Sequence, residues 1–322
     1  LLAAYVETIE PERPLDGLGV GERPEPEDRD GWVTVEVRAA SLNHHDIWGL
    51  RGYGLTAEKL PIILGCDAAG VDPDGNEVIV HALVGDPEWR GDESLDPKRS
   101  ILSELHQGTL AERVSVPRRN LIPKPAALSF EQAACLPTAW LTAYRMLFTR
   151  SGLRPGQTVL IQGAGGGVAS AAIALGRAGG FRVWATSRSE HKREFAEGIG
   201  AHATFESGAR LPERVDAVIE TVGEATWAHS LRSLRPGGRI VVAGATGGEN
   251  PPAELPRVFF KQLEVVGSTM GTREELVSLA SMLETTGLRP SIGMRVSLSE
   301  VAEGLAAMEA GELLGKIVVT PA

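Results

Sequence analysis

The stretch Thr158–Gly179, TVLIQGAGGGVASAAIALGRAG, decides the fold. Val159-Leu-Ile161 is a short apolar run of the kind buried in a parallel sheet; a glycine cluster follows it, and an Ala-rich segment then reads as a helix. A strand that turns sharply into a helix presents free backbone N–H groups and the positive end of the helix dipole, which together draw a pyrophosphate. Glycine is required in that turn because a Cβ would keep the ligand from the backbone. The spacing is Gly163-x-x-Gly166-x-x-Ala169, and the strict G-x-G-x-x-G fingerprint is missed because Val168 or Ser170 stands in its third place. Gly163, Gly165, Gly166, Gly167 and Val168 are the candidates for cradling a dinucleotide.

A second strand is expected at Arg182-Val-Trp-Ala-Thr186. Its end is where a carboxylate, about 20 residues on, holds the ribose 2′-hydroxyl of NAD. Here the chain reads Ser187-Arg188-Ser189-Glu190-His191-Lys192. Ser187, Arg188 and Lys192 offer a hydroxyl and two cations suited to a 2′-phosphate, which a guanidinium grips bidentately, so the expected cofactor is NADP(H). The plainer alternative is that Ser189 caps the next helix while Arg188 and Lys192 are solvated surface.

The strand–helix rhythm continues through Ala203–Phe205, Asp216–Ile219, Gly238–Ala243 and Leu263–Val266, with helices near 189–198, 225–233 and 273–286. Six strands with intervening helices predict an α/β, doubly wound parallel sheet of the Rossmann type. The loops Thr221-Val222-Gly223, Gly244-Ala-Thr246 and Gly267-Ser268-Thr269 are expected to line its cofactor crevice.

Residues 1–120 have a different texture, with Pro and Gly punctuating short alternating strands such as Trp32–Val37 and Glu77–Val80. The polar, turn-rich segment 85–108 reads as a long loop, and 289–322 resumes the β pattern. The expectation is a discontinuous β-rich domain of 1–120 completed by 289–322, and a dinucleotide-binding domain of 121–288. A length of 322 residues suits two domains. The net charge of −10 disfavours nucleic acid and anionic membrane as partners. With two cysteines, no secretory leader and no long apolar run, a cytoplasmic protein without a disulfide framework is expected. The chain starts at Leu1, so a residue or more is expected to be missing before it.

The order of Ser41-Leu-Asn-His-His-Asp46, Gly65-Cys-Asp-Ala-Ala-Gly70, Thr138-Ala-Trp-Leu-Thr-Ala-Tyr144, the glycine loop and Gly315-Lys-Ile-Val318 resembles the medium-chain dehydrogenase/reductase superfamily. Within it the chain is similar to the quinone-oxidoreductase and zinc-type-alcohol-dehydrogenase-like branch. The resemblance implies a GroES-like catalytic domain, a Rossmann domain with an active site in the cleft between them, and a homodimer joined through edge strands. The zinc pattern of the relatives does not carry over: Asn43 stands for a Cys, Gly65-Cys66-Asp67 for G-H-E and Thr138 for a further Cys, while 85–108 lacks the four-Cys lobe. No metal is therefore expected; His44, His45, Cys66 and Cys135 read as structural.

Losing a Lewis acid favours hydride addition to a conjugated acceptor over oxidation of an alcohol. The charge then lands on a distant oxygen that ordinary donors stabilise. The expectation is an NADPH-dependent reductase of a quinone or α,β-unsaturated carbonyl. The alternatives are a carbonyl reductase or alcohol dehydrogenase, or an NADP(H)-binding protein without turnover. By resemblance, Asn43 donates to the substrate oxygen, Tyr53 delivers a proton and Asp46 orients its neighbours. Thr138 and Thr142 lie along the nicotinamide, and Val222, Val241, Ala243, Gly244, Gly267 and Ser268 line the rest of the cofactor site.

Overall fold

The computed structural model describes residues 1–321, and the chain divides into two compact units, Leu1–Ala139 with the residues from Met270 onward, and Trp140–Thr269.

The Trp140–Thr269 unit is built on six parallel strands in the order Ala203–Phe205, Arg182–Thr186, Thr158–Ile161, Val215–Glu220, Leu234–Val242, Glu264–Gly267. In sequence order that is 3-2-1-4-5-6, so the connections reverse direction between the Thr158–Ile161 and Val215–Glu220 strands, which is where such sheets bind ligands. Thr158–Ile161 is buried throughout, as a strand covered on both faces must be. Helix Gly167–Ala178 lies close because its residues are small; a Cβ on Gly176 would come 3.0 Å from Val183 Cγ2. Leu160, Trp184, Val218, Trp227, Leu231 and Ile240 form one core cluster of this unit.

The other unit centres on a seven-stranded sheet in which Trp32–Ser41 pairs with Asp67–Val71, Arg113–Pro117 and Lys316–Thr320. Val318 faces Ser41 and Val319 faces Ala40, so the last strand pairs with Trp32–Ser41. The domain boundaries differ from the sequence expectation at both ends. Leu121–Pro123 pairs with Val78–Val80, and the Arg273 guanidinium donates to Arg119 O and Leu121 O, at 2.7 and 3.1 Å. Segments 121–139 and 270–288 thus belong with the β-rich unit. A helix that follows the sixth strand continues the strand–helix rhythm in sequence while its contacts lie elsewhere, which is why the rhythm misplaced it.

The 85–108 segment is less open than a loop. A Leu83–Val84/Ser100–Ile101 hairpin closes it, and the buried Asp96 accepts from Asp86 N at 2.6 Å and Lys98 N at 2.8 Å. Among the described residues no helix is long and apolar enough to cross a membrane.

Candidate active site

The glycine turn has the geometry an anion needs. Helix Gly167–Ala178 starts on Gly166, which offers no side-chain cap, and its first turn has no acidic residue, so its leading N–H groups face outward uncapped. A Cβ on Gly166 would meet nothing within 4 Å, whereas one on Gly163 (φ +74°) would strike Val222 Cγ2 at 2.8 Å and one on Gly165 (φ +114°) Lys192 Cδ at 2.8 Å. Only glycine takes those positive φ angles without strain, and the contacts bring the expected Val222 and Lys192 against the turn.

At the neighbouring strand end Ser187 is buried. Its Oγ accepts from Ser189 N at 3.2 Å, and its carbonyl accepts from Arg193 Nη1 at 2.8 Å, a clamp the sequence reading missed. Its own hydroxyl hydrogen is left to donate. Ser189 does cap helix Glu190–Gly198, as the plainer reading held, and Arg188 stands exposed beside it. Val222 N donates to the buried Glu220 carboxylate at 2.8 Å, Ala243 N to Glu220 O at 3.0 Å, and Ser268 N to Val242 O at 2.8 Å. Gly244 lies tight against Thr221, where a Cβ would come 3.0 Å from Thr221 O, and Gly267 O accepts from the Arg150 guanidinium at 2.9 Å. Thr142 is buried, and the buried hydroxyls of Ser268 and, in the other unit, Thr138 have no protein partner. An unpaired buried hydroxyl is costly, so these two suit a ligand. The residues of this end fit a phosphorylated dinucleotide.

In the β-rich unit the polar residues gather around the strand end at Ser41 and helix His44–Leu50. Asp46 is fully buried and accepts from Asn43 N at 2.8 Å and Gly65 N at 3.0 Å, so it fixes the helix start to the Gly65 turn. Asn43 commits its amide hydrogens to Asp67 Oδ2 at 2.8 Å and Ser41 O at 3.4 Å; a substrate oxygen seeking that donor has to displace Ser41 O, the longer contact. The buried Lys316 ammonium has three acceptors: Leu42 O at 2.6 Å, Asn43 Oδ1 at 2.7 Å and Asp67 Oδ2 at 3.3 Å. Tyr53 is 59% exposed in the turn after the helix.

His45 belongs to a separate cluster. Its Nδ1 lies 3.4 Å from both Cys66 Sγ and Ser103 Oγ, and its Nε2 lies 3.1 Å from Glu104 Oε1. Burial alone would lower this histidine, but Cys66 and Glu104 hold it well above the ordinary histidine range. Burial pushes the Cys66 thiol up, and pushes Cys135 up to about 12. His45, Asp46 and Cys66 place one potential ligand atom each within 4.8 Å of one another. Cys66 therefore pairs with His45 and not with its neighbour Asp67, a meeting of residues 21 apart that spacing did not reveal.

Two family models match the chain: an alcohol dehydrogenase GroES-like domain over residues 29–126 and a zinc-binding dehydrogenase over 167–285. A solved NAD-dependent alcohol dehydrogenase is 32% identical, with a TM-score of 0.93 and 100% of both chains covered. The chain belongs to the medium-chain dehydrogenase/reductase superfamily. An acryloyl-coenzyme A reductase of Sulfurisphaera tokodaii is 29% identical over 96% of this chain and 98% of its own. A 2-octenoyl-CoA carboxylase reductase solved with NADP and 2-octenoyl-CoA is 26% identical at TM-score 0.90, covering 99% of this chain and 87% of that one. As a member of this superfamily the chain is an oxidoreductase with a GroES-like and a Rossmann unit.

The superfamily assignment makes the titration of Asp46 informative, since this carboxyl anchors the helix that carries His45. Burial raises it to about 6, with the Asn43 N–H and His45 opposing. A carboxyl raised above its ordinary 3.8 contributes stability in full below about pH 4 and loses it as pH rises through 6, a difference of about 3 kcal/mol. Wild type minus Asp46→Asn, measured by urea unfolding, is expected to fall by that amount between pH 4 and 7. A flat difference would show a carboxyl with an ordinary pKa.

Proposed function

We propose that the chain is an NADP(H)-dependent reductase of α,β-unsaturated carbonyl compounds, with quinones as a second acceptor class, and that it works without a catalytic metal. The observation that carries this reading is Lys316. At the locus where zinc-dependent relatives gather their ligands, this chain has Asn43, Cys66-Asp67 and Thr138, and an ammonium stands 2.7 Å from Asn43 Oδ1 and 3.3 Å from Asp67 Oδ2. The His45–Asp46–Cys66 group could supply the three protein ligands of a catalytic zinc only by giving up the partners it already has. Both Asp46 oxygens already accept backbone N–H groups, and the Cys66 Sγ lies within bonding distance of Leu102 O at 3.4 Å.

NADPH, when bound, supplies the hydride. The uncapped N–H groups after Gly166 hold its pyrophosphate, with Gly163, Gly165, Gly167 and Val168 shaping the approach. Ser187, Arg188 and Lys192 meet the 2′-phosphate. Val222, Ala243, Gly244, Gly267 and Ser268 form the strand ends along the ring, with Thr142 beside it. In the β-rich unit Tyr53 gives its phenolic proton to the substrate anion formed by hydride addition and regains one from water, and Asn43 and Asp46 act by position, held by Asp67, Lys316 and the Gly65 turn.

Reduction of a conjugated thioester is supported by the likeness to acryloyl-coenzyme A reductase, and NADP(H) by the strand end at Ser187-Arg188, which carries no carboxylate. Likeness to the NAD-dependent alcohol dehydrogenase favours a second reading, a carbonyl reductase or alcohol dehydrogenase. Turnover separates them. NADPH oxidation with unsaturated CoA thioesters and enones, and no NAD⁺ reduction by simple alcohols, is the expected result; NAD⁺ reduction by alcohols with no NADPH oxidation by the unsaturated compounds overturns the proposal. A homodimer through the edge strand Glu264–Gly267 is part of the same reading, since Val265 on it is half exposed and Phe259 and Phe260 nearby in sequence are exposed.

A further inference from the structure

Three strands of the six end next to loops assigned above to the cofactor, and one buried chain of hydrogen bonds joins those ends. Thr186 Oγ1 donates to Gln162 Oε1 at 2.5 Å. Gln162 Nε2 donates to Ser230 Oγ at 2.9 Å and to His229 Nδ1 at 2.9 Å. Ser230 Oγ donates to Glu220 Oε2 at 2.6 Å. Glu220 Oε1 accepts from Val222 N at 2.8 Å, Gly223 N at 3.0 Å and Thr226 Oγ1 at 2.9 Å. Thr186, Gln162, Ser230 and Glu220 are each 0% exposed.

The chain has a single direction. Thr186, Gln162 and Ser230 donate in turn toward Glu220 and the run ends on that carboxylate, while a side branch passes from Gln162 Nε2 through His229 to Ala209 O. His229 fits that direction because its Nε2 faces Ala209 O at 2.8 Å, which puts the ring hydrogen there and leaves Nδ1 to accept from Gln162. Burial lowers this histidine, in keeping with a neutral ring. Buried donors that polarise one another in sequence, in a medium of low dielectric, are stiff, and a break leaves an unpaired group that costs more than one bond.

The backbone adds two ties. Ala164 N, inside the glycine turn, donates to Thr186 O at 2.8 Å, and Gln162 N donates to Ile219 O at 3.1 Å. Thr186 precedes Ser187-Arg188, Gln162 precedes Gly163, and Glu220 is followed by Thr221-Val222. Each interior residue is therefore one or two positions from a cofactor-facing loop; Thr186 bonds Gln162 directly, and Gln162 reaches Glu220 through Ser230.

We propose that Thr186, Gln162 and Glu220 are positioning residues that lock the 2′-phosphate loop, the glycine turn and the Val222 loop into one rigid seat, so that Thr186 sets cofactor preference through the loop it precedes. The proposal rests on the cofactor reading above.

The test is binding of NADPH, NADH and 2′,5′-ADP by calorimetry to the full chain carrying Thr186→Val, Thr186→Ser, Arg188→Ala or Thr186→Val with Arg188→Ala. Thr186→Val removes the donor with little change of shape. It is expected to weaken NADPH and 2′,5′-ADP roughly tenfold and NADH less than twofold, with Thr186→Ser restoring most of the loss. In the Arg188→Ala background the same change is expected to cost NADPH little more, because coupled residues are non-additive. A merely structural threonine would lower the unfolding midpoint while leaving the NADPH-to-NADH ratio alone. That ratio unchanged in Thr186→Val, or a full tenfold loss persisting without Arg188, would overturn the proposal. If wild type prefers NADH, the cofactor reading fails instead, and the network is then judged on Glu220→Gln. Weakening of NADH by roughly tenfold or more supports a seat held from behind, and unchanged NADH binding overturns it.

Discussion

Replacing Lys316 with methionine is expected to destabilise the chain by about 3–5 kcal/mol, the range for breaking a buried ion pair by removing one partner. Lys316 is 3% exposed and Asp67 0%. The three donors of the ammonium are matched by Leu42 O, Asn43 Oδ1 and Asp67 Oδ2. Methionine fills similar space and leaves Asp67 with Ser41 Oγ and Asn43 Nδ2 as donors but no cation, and its Oδ1 already has no partner. Most of the loss is the cost of an uncompensated buried carboxylate, so Asp67→Asn added to Lys316→Met is expected to recover a large part of it. Urea unfolding of the two variants measures both steps. A loss below about 1 kcal/mol for Lys316→Met, or further loss on adding Asp67→Asn, would show that the ammonium is not what balances this locus.

Arg188→Ala is expected to weaken NADPH by about 1–3 kcal/mol, roughly five- to 150-fold, and to leave NADH nearly unchanged. The guanidinium is exposed at the strand end beside a buried Ser187 whose hydroxyl hydrogen is free to donate. Its planar fork meets a phosphate with two parallel bonds, which the remaining Lys192 cannot reproduce as a point charge. Fluorescence titration of both cofactors reads the ratio directly. An unchanged ratio would move Arg188 to the solvated surface, where the plainer sequence reading put it.

What the sequence disclosed follows from which interactions are local. The strand Arg182–Thr186 and the helix Arg273–Thr286 coincide with their expected ranges because apolar periodicity and caps act within a few residues; Thr272 and Glu275 form a reciprocal capping box and Gly287 ends the helix at φ +73°. The glycine turn was legible for the same reason. Domain membership was not, because Arg273 is fixed by carbonyls of residues more than 150 positions away. Lys316 looked like one residue of a terminal strand, and its meeting with Asn43 spans 273 positions. His45 with Glu104, and Gln162 with Ser230, are likewise pairings that only the sheet order creates. Gln162 and Glu220 stand at ends of apolar strands, where a polar residue signals an exit from the sheet and says nothing of the partner it meets there.

The metal content of the purified, active enzyme tests the central claim most directly, measured by elemental analysis on the sample whose NADPH oxidation with an unsaturated thioester is being followed. Full turnover with far less than one zinc per chain, unaffected by a strong chelator, is the predicted result. One tightly held transition-metal ion per chain, whose removal stops turnover and whose return restores it, would contradict the account.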